Sequence, residues 1–152
     1  MLQFGEVVSH LCTVGFMVQD IPFNDHVYTI WEVGGQDKIR RIWPEFYKDS
    51  DAVIYVVDSS CRERIVEARE ELFKALRDER LEKAKLLVYL TRKDMPNAME
   101  PGELTEKLGL YEIKSREWYV QPCCSTNGEG LKEGLEWLHK SLKKSEGKET
   151  KN

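Results

Sequence analysis

Two kinds of apolar pattern run along the chain. From Phe16 to Phe23 apolar and polar residues partly alternate, with Phe16, Val18 and Ile21 read on one side and Met17, Gln19 and Phe23 on the other. Asn24-Asp25 is a turn signal, and a second β-rich run follows from Val27 to Val33. Two such runs joined by a short polar turn predict an antiparallel hairpin. Beyond it the apolar stretches stop alternating: Ala52-Val53-Ile54-Tyr55-Val56-Val57, then Leu86-Leu87-Val88-Tyr89-Leu90, then the shorter Trp118-Tyr119-Val120. Unbroken apolar runs predict strands covered on both faces, hence a parallel sheet.

Helical periodicity fills the intervals. Ser60-Cys61-Arg62-Glu63 matches a capping box and should open a helix with Ile65, Ala68, Leu72, Ala75 and Leu76 inward. Glu70 and Lys74 should pair on its outer face. A short helix is expected from Pro101 to Leu108, with Gly109 after its end. Thr126-Asn127-Gly128-Glu129 repeats the capping pattern ahead of Leu131, Leu135, Leu138 and Leu142. From Lys144 onward the chain turns polar and should fray. Strands alternating with helices predict an α/β layered fold, with one domain over residues 1–143 and a polar tail over 144–152.

Composition narrows the function classes. Lys+Arg 23 against Asp+Glu 27 leaves a net charge of −4, which speaks against an electrostatic nucleic-acid binder. With 41% hydrophobic residues the chain can build a core, so wholesale disorder is excluded. The four cysteines, Cys12, Cys61, Cys123 and Cys124, make no C-x-x-C pattern and read as reduced thiols. His10, His26 and His139 read as surface or half-buried residues. No apolar run reaches the roughly 18 residues needed to cross a membrane, and Met1-Leu2-Gln3 is neither a signal peptide nor a myristoylation site. Any membrane association is therefore expected through a partner.

Ligands of α/β sheets sit at the carboxyl ends of the strands. Three segments lie there: Trp31-Glu32-Val33-Gly34-Gly35-Gln36-Asp37, Thr91-Arg92-Lys93-Asp94, and Cys123-Cys124-Ser125-Thr126-Asn127-Gly128. A carboxylate followed by paired glycines suits a place where backbone N–H groups approach an anion. With WEVGGQDKIR, VVDSSCRER, EAREEL, DMPNAM, KLGL and NGEGLKEGLEWL, the chain resembles the ADP-ribosylation-factor (Arf) family of small GTPases, from about Phe4 to Leu142.

The resemblance implies a small-GTPase-like (P-loop NTPase) sheet of about five strands with helices on both faces, and a role in vesicle transport, in the cytoplasm and at the Golgi. It implies GTP or GDP with Mg²⁺ as ligands, and Arf effectors, exchange factors and activating proteins as partners. Thr13 matches the first-switch threonine on Mg²⁺, and Glu32 stands where the family has an Asp reaching Mg²⁺ through water. Gly35 matches the glycine whose N–H meets the γ-phosphate, and Gln36 the glutamine that orients attacking water. Thr91, Arg92 and Asp94 occupy the N-K-x-D positions, with Asp94 accepting from guanine N1–H and N2–H. Ser125 lies where a backbone N–H meets guanine O6, and Cys124 beside it is counted among the nucleotide-binding positions. Phe16, Trp31 and Phe46 match the hydrophobic triad that binds effectors.

The departures are equally specific. A GTPase grips phosphates with G-x-x-x-x-G-K-S/T, and none of the ten glycines completes that motif. In the family this loop precedes the segment matching Leu2-Gln3-Phe4-Gly5-Glu6. The chain is thus expected to lack the first strand, the phosphate loop and the amphipathic N-terminus. In the family's strand order that strand lies between the hairpin and the Ala52–Val57 strand, so two interior edges should lose their partner. Thr91 and Arg92 replace Asn and Lys, Glu32 is one methylene longer than Asp, and Pro44 should interrupt the second switch helix. Three readings follow: an Arf-like GTPase with impaired nucleotide binding and hydrolysis, a nucleotide-independent effector-binding module, or a truncated gene product.

Overall fold

A computed structural model describes residues 15–149 of the 152-residue chain. They fall into two compact units divided between Lys48 and Asp49. Among the described residues five strands form, as two sheets.

In the first unit, β1 (Phe16–Phe23) and β2 (His26–Val33) pair antiparallel over their whole length, from Phe16 opposite Val33 to Phe23 opposite His26. The two-residue turn is possible because Asn24 adopts φ 55°, the left-handed region that Asn tolerates. Strict alternation puts Ile21 with Phe23, and both are buried. The expectation that Ile21 shares a side with Phe16 and Val18 is thereby corrected: their face carries Phe16, Val18, Val27 and Trp31, all exposed. After Val33 the chain turns through Gly34-Gly35 into a one-turn helix α1 (Asp37–Arg40) and a 3₁₀ turn over Trp43–Phe46. Pro44 stands in the first turn of that 3₁₀ segment, where its missing N–H costs nothing, and it divides what would otherwise be one helix.

The second unit is a parallel sheet in the order β3-β4-β5, with β3 (Ala52–Asp58), β4 (Lys85–Thr91) and β5 (Trp118–Pro122). Central β4 is buried from Leu86 to Leu90. Its Leu86, Val88 and Leu90 join Leu72 of α2 (Ile65–Leu76) and Leu104 of α3 (Pro101–Lys107) in one core. Leu87 and Tyr89 face the other way and join Leu138 of α4 (Leu131–Glu149). Helices thus cover both faces, which is why β4 needs an unbroken apolar run.

Four local expectations are corrected. The Ser60 hydroxyl does not cap a helix; it donates to Asp58 Oδ1 at 2.6 Å, and a 3₁₀ turn over Arg62–Arg64 precedes α2. Lys74 lies 3.9 Å from Glu71 rather than pairing with Glu70. The last helix continues to Glu149, through the segment expected to fray. His139 is buried. No helix among the described residues is long and apolar enough to cross a membrane.

Candidate functional site

The second unit gathers five of the proposed ligand-binding residues at the carboxyl ends of β4 and β5. Thr91 closes β4, and its hydroxyl donates to the Val57 carbonyl at 3.2 Å, so its side chain ties β4 to β3. Arg92 takes φ 57°, and its guanidinium lies 3.3 Å from Asp58 Oδ2. That reversal sends Lys93 and Asp94 into an exposed loop. Lys93 binds Glu129, which raises the lysine pKa and lowers that of the carboxylate through the shared hydrogen bond.

The loop after β5 is bonded mainly to itself. Cys123 N–H donates to the Leu90 carbonyl at 2.8 Å, carrying the chain across the end of the sheet. Cys124 N–H donates to Glu129 O and Gly128 N–H to Cys124 O, both at 2.9 Å. Asn127 Oδ1 accepts from Glu129 N–H at 3.0 Å. The buried Cys124 thiol lies 3.7 Å from Asp94 Oδ1 and 2.9 Å from the Thr126 hydroxyl, which joins this loop to the Asp94 loop. Burial pushes the neighbouring Cys123 thiol up to about 11, so it stays protonated. Cys61, Cys123 and Cys124 are all free thiols.

Asp94 and Ser125 remain exposed beside this junction. Asp94 Oδ2 and the Ser125 N–H have no partner among the described residues. An open carboxylate acceptor next to an open N–H donor can read a planar base with two adjacent N–H groups and a carbonyl. Sequence reasoning missed Ser59, which is fully buried. Its hydroxyl and N–H both reach the Thr91 carbonyl, at 2.6 and 3.1 Å, and its own carbonyl accepts from Met99 N–H at 2.8 Å. Its signal was its position, directly after the β3 run, with a polar side chain where the strand ends.

The first unit holds the remaining residues. Gly34 is spent on structure: its N–H donates to Gly15 O at 3.0 Å and its carbonyl accepts Trp43 Nε1 at 2.9 Å. The Gly35 carbonyl accepts Arg40 Nε at 2.7 Å, while its N–H is open among the described residues. Gln36 is exposed, and its backbone precedes α1 without a side-chain cap. Glu32 is half-buried on β2. Thr13 lies outside the described residues. Phe16, Trp31 and Phe46 form a three-ring cluster, with centroids 6.0 Å (Phe16–Trp31), 5.1 Å (Phe16–Phe46) and 5.7 Å (Trp31–Phe46) apart. Phe16 is 52% and Trp31 49% exposed.

Asp94 and Ser125 thus offer an acceptor and a donor of the kind that the edge of a guanine base would require. In the first unit the Gly35 N–H stays open among the described residues, and none of the ten glycines of the given sequence completes a G-x-x-x-x-G-K-S/T motif.

Comparison with known proteins agrees with the architecture. The model of the ADP-ribosylation factor family matches residues 1–142. Among solved structures, the chain is similar to the Arl6 (BBS3) small GTPase of Trypanosoma brucei, which was determined with the nucleotide analogue GppNp. The TM-score is 0.85 at 26% identity, covering 90% of this chain and 84% of that one. With an α/β fold, strand-end loops and a family match over nearly its whole length, this chain belongs to the ADP-ribosylation factor family of small GTPases.

Proposed function

We propose that this chain serves intracellular vesicle transport as an Arf-family protein that engages effectors through Phe16, Trp31 and Phe46, with GTP binding and hydrolysis impaired. The observation that carries this reading is the three-ring cluster of Phe16 and Trp31 on the hairpin with Phe46 from the following 3₁₀ turn, two of its rings about half exposed. Three aromatic rings in mutual contact on an exposed face are an expensive arrangement in water and a common anchor in interfaces.

Impairment follows from magnitudes. A phosphate loop supplies several charge-assisted hydrogen bonds, each worth about 1.5–3 kcal/mol. Losing a handful removes roughly 6–10 kcal/mol, more than four decades of affinity. Contacts from Asp94, Cys124 and Ser125 touch only the base and do not replace them. Gly35, Gln36, Thr13 and Glu32 would serve GTP and Mg²⁺ only where a phosphate is first held. The cytoplasm, and the Golgi through partners, are the destinations this reading implies.

The test is binding of the nucleotide-free chain to purified Arf effector domains, followed by calorimetry. About half of the Trp31 surface is available to a partner. At roughly 100 Å² and about 25 cal/mol per Å², Trp31→Ala should weaken binding by about 2–3 kcal/mol, some 50-fold or more. Binding that requires added GTP, or that Trp31→Ala leaves intact, would refute the reading.

A further inference from the structure

The loop that links β5 to α4 carries a reactive pair of residues that the effector reading leaves unused. Of the four asparagines, Asn24, Asn97, Asn127 and Asn152, only Asn127 precedes a glycine. The carboxamide carbon of an asparagine can be attacked by the peptide nitrogen of the next residue. A side chain on that next residue obstructs the approach, and glycine has none.

The loop sets this pair in the open. Asn127 and Gly128 are both exposed. Asn127 Oδ1 accepts from Glu129 N–H at 3.0 Å. The ring closed by that bond contains Asn127 Cγ and the whole Gly128 backbone, so the carboxamide is folded forward along the chain. Its Nδ2 has no partner among the described residues. A Cβ on Gly128 would meet nothing within 4 Å, so no distant part of the unit crowds that side of the peptide. Asn97 is the contrast: its Nδ2 donates to the Ser60 carbonyl at 3.2 Å, and Ala98 follows it.

One bond opposes the reaction. Gly128 N–H donates to the Cys124 carbonyl at 2.9 Å and must let go before its nitrogen can turn on Cγ. In an exposed turn such opening is local and does not need global unfolding.

We propose that Asn127-Gly128 is a self-modification site, at which the folded chain converts Asn127 to aspartate and isoaspartate. The Gly128 nitrogen loses its proton and forms a bond to Asn127 Cγ. The Cγ–Nδ2 bond breaks, and the amide nitrogen takes up a proton and leaves as ammonia. Water then opens the cyclic imide at one carbonyl or the other, with no change of oxidation state. The isoaspartyl product has one more methylene in its main chain. That insertion falls between Cys124 and Glu129, where Cys124 N–H donates to Glu129 O at 2.9 Å. It displaces this closure and frees the Cys124 thiol from its place 3.7 Å from Asp94 Oδ1. The proposal is independent of the effector reading.

The full chain, aged in the folded state from neutral to mildly alkaline pH, tests it. Peptide mapping reads the mass gain of amide-to-acid conversion, and isoaspartyl-specific methyl labelling reads the isomer. Among Asn24, Asn97 and Asn127, conversion should be confined to Asn127. Its rate should rise about tenfold per pH unit, because a proton must leave first. It should be at most about tenfold slower than in the same chain unfolded in urea, the factor that one hydrogen bond accounts for. Gly128→Ala should slow it at least about tenfold in folded and unfolded chains alike. Aged protein should react faster than fresh protein with a thiol reagent at Cys124. Asn127→Asp, which adds the charge without the methylene, should react like the fresh chain. An Asn127 that stays intact in the folded chain while the unfolded chain converts would overturn the proposal. So would conversion indifferent to pH or to Gly128→Ala, or equal thiol reactivity in aged and fresh protein.

Discussion

Gly128 and Gly130 offer a controlled test of how the loop after β5 is held. Both have positive φ, 77° and 83°. A Cβ on Gly128 would meet open space, whereas one on Gly130 would stand 2.1 Å from the Pro122 carbonyl oxygen and 3.1 Å from Cys123 Cα. Left-handed backbone costs an L-residue about 1–2 kcal/mol, partly offset by about 0.4–1 kcal/mol from stiffening the unfolded chain. Gly128→Ala should therefore destabilise by about 1 kcal/mol. Gly130→Ala adds a backbone clash that no rotamer relieves, about 1–3 kcal/mol more. In urea, with a slope of about 1–3 kcal/mol per M, its midpoint should fall by about 1–2 M, against about 0.5 M for Gly128→Ala. Because Gly130 presses on Cys123, displacing it should also raise the rate at which the buried Cys123–Cys124 pair reacts with a thiol reagent. Equal midpoints for the two variants would refute the claim that close packing against Pro122 fixes the loop.

Two further outcomes follow from the second unit. Glu117 accepts from the Ser141 hydroxyl at 2.6 Å and from Lys144 at 3.2 Å, which holds its carboxyl down at about 2. A depressed carboxylate pKa stabilises the fold above its unfolded value and loses that contribution as pH falls toward the folded one. Unfolding monitored by pH should thus show a loss of stability between about pH 4.5 and 2 that Glu117→Gln flattens. Arg116 donates to the carbonyls of Leu81 (2.6 Å) and Leu76 (3.1 Å), where the chain leaves α2. Arg116→Met should cost about 1–3 kcal/mol in chemical denaturation by taking the donor from the Leu76 carbonyl and one of two from the Leu81 carbonyl, which also accepts from Ala84 N–H, and an unchanged midpoint would count against the assignment.

What the sequence made legible was whatever periodicity encodes. The unalternating run at Leu86–Leu90 required cover on both faces, and α2, α3 and α4 provide it. The hairpin followed from Asn24-Asp25, yet Ile21 was assigned to the wrong face because Pro22 and Asp20 obscure the alternation there. Short-range competition was illegible. Ser60 has a capping pattern, but the Asp58 carboxylate two residues earlier takes its hydroxyl, and Lys74 reaches the adjacent Glu71 instead of Glu70. At the loops after β4 and β5, the sequence motifs singled out Asp94 and Ser125. The supports behind them come from residues distant in sequence: Ser59 on Thr91, Lys93 on Glu129, and Cys124 on Asp94. No spacing rule joins such positions, since only the parallel register of β3, β4 and β5 brings their ends together.

The most direct measurement is a titration of the purified, nucleotide-free chain with a fluorescent GTP analogue in the presence of Mg²⁺. With base contacts alone, the account predicts binding no tighter than about 10 µM, because roughly 6–10 kcal/mol of phosphate contacts is missing. Sub-micromolar, Mg²⁺-dependent binding that Asp94→Ala abolishes would contradict it.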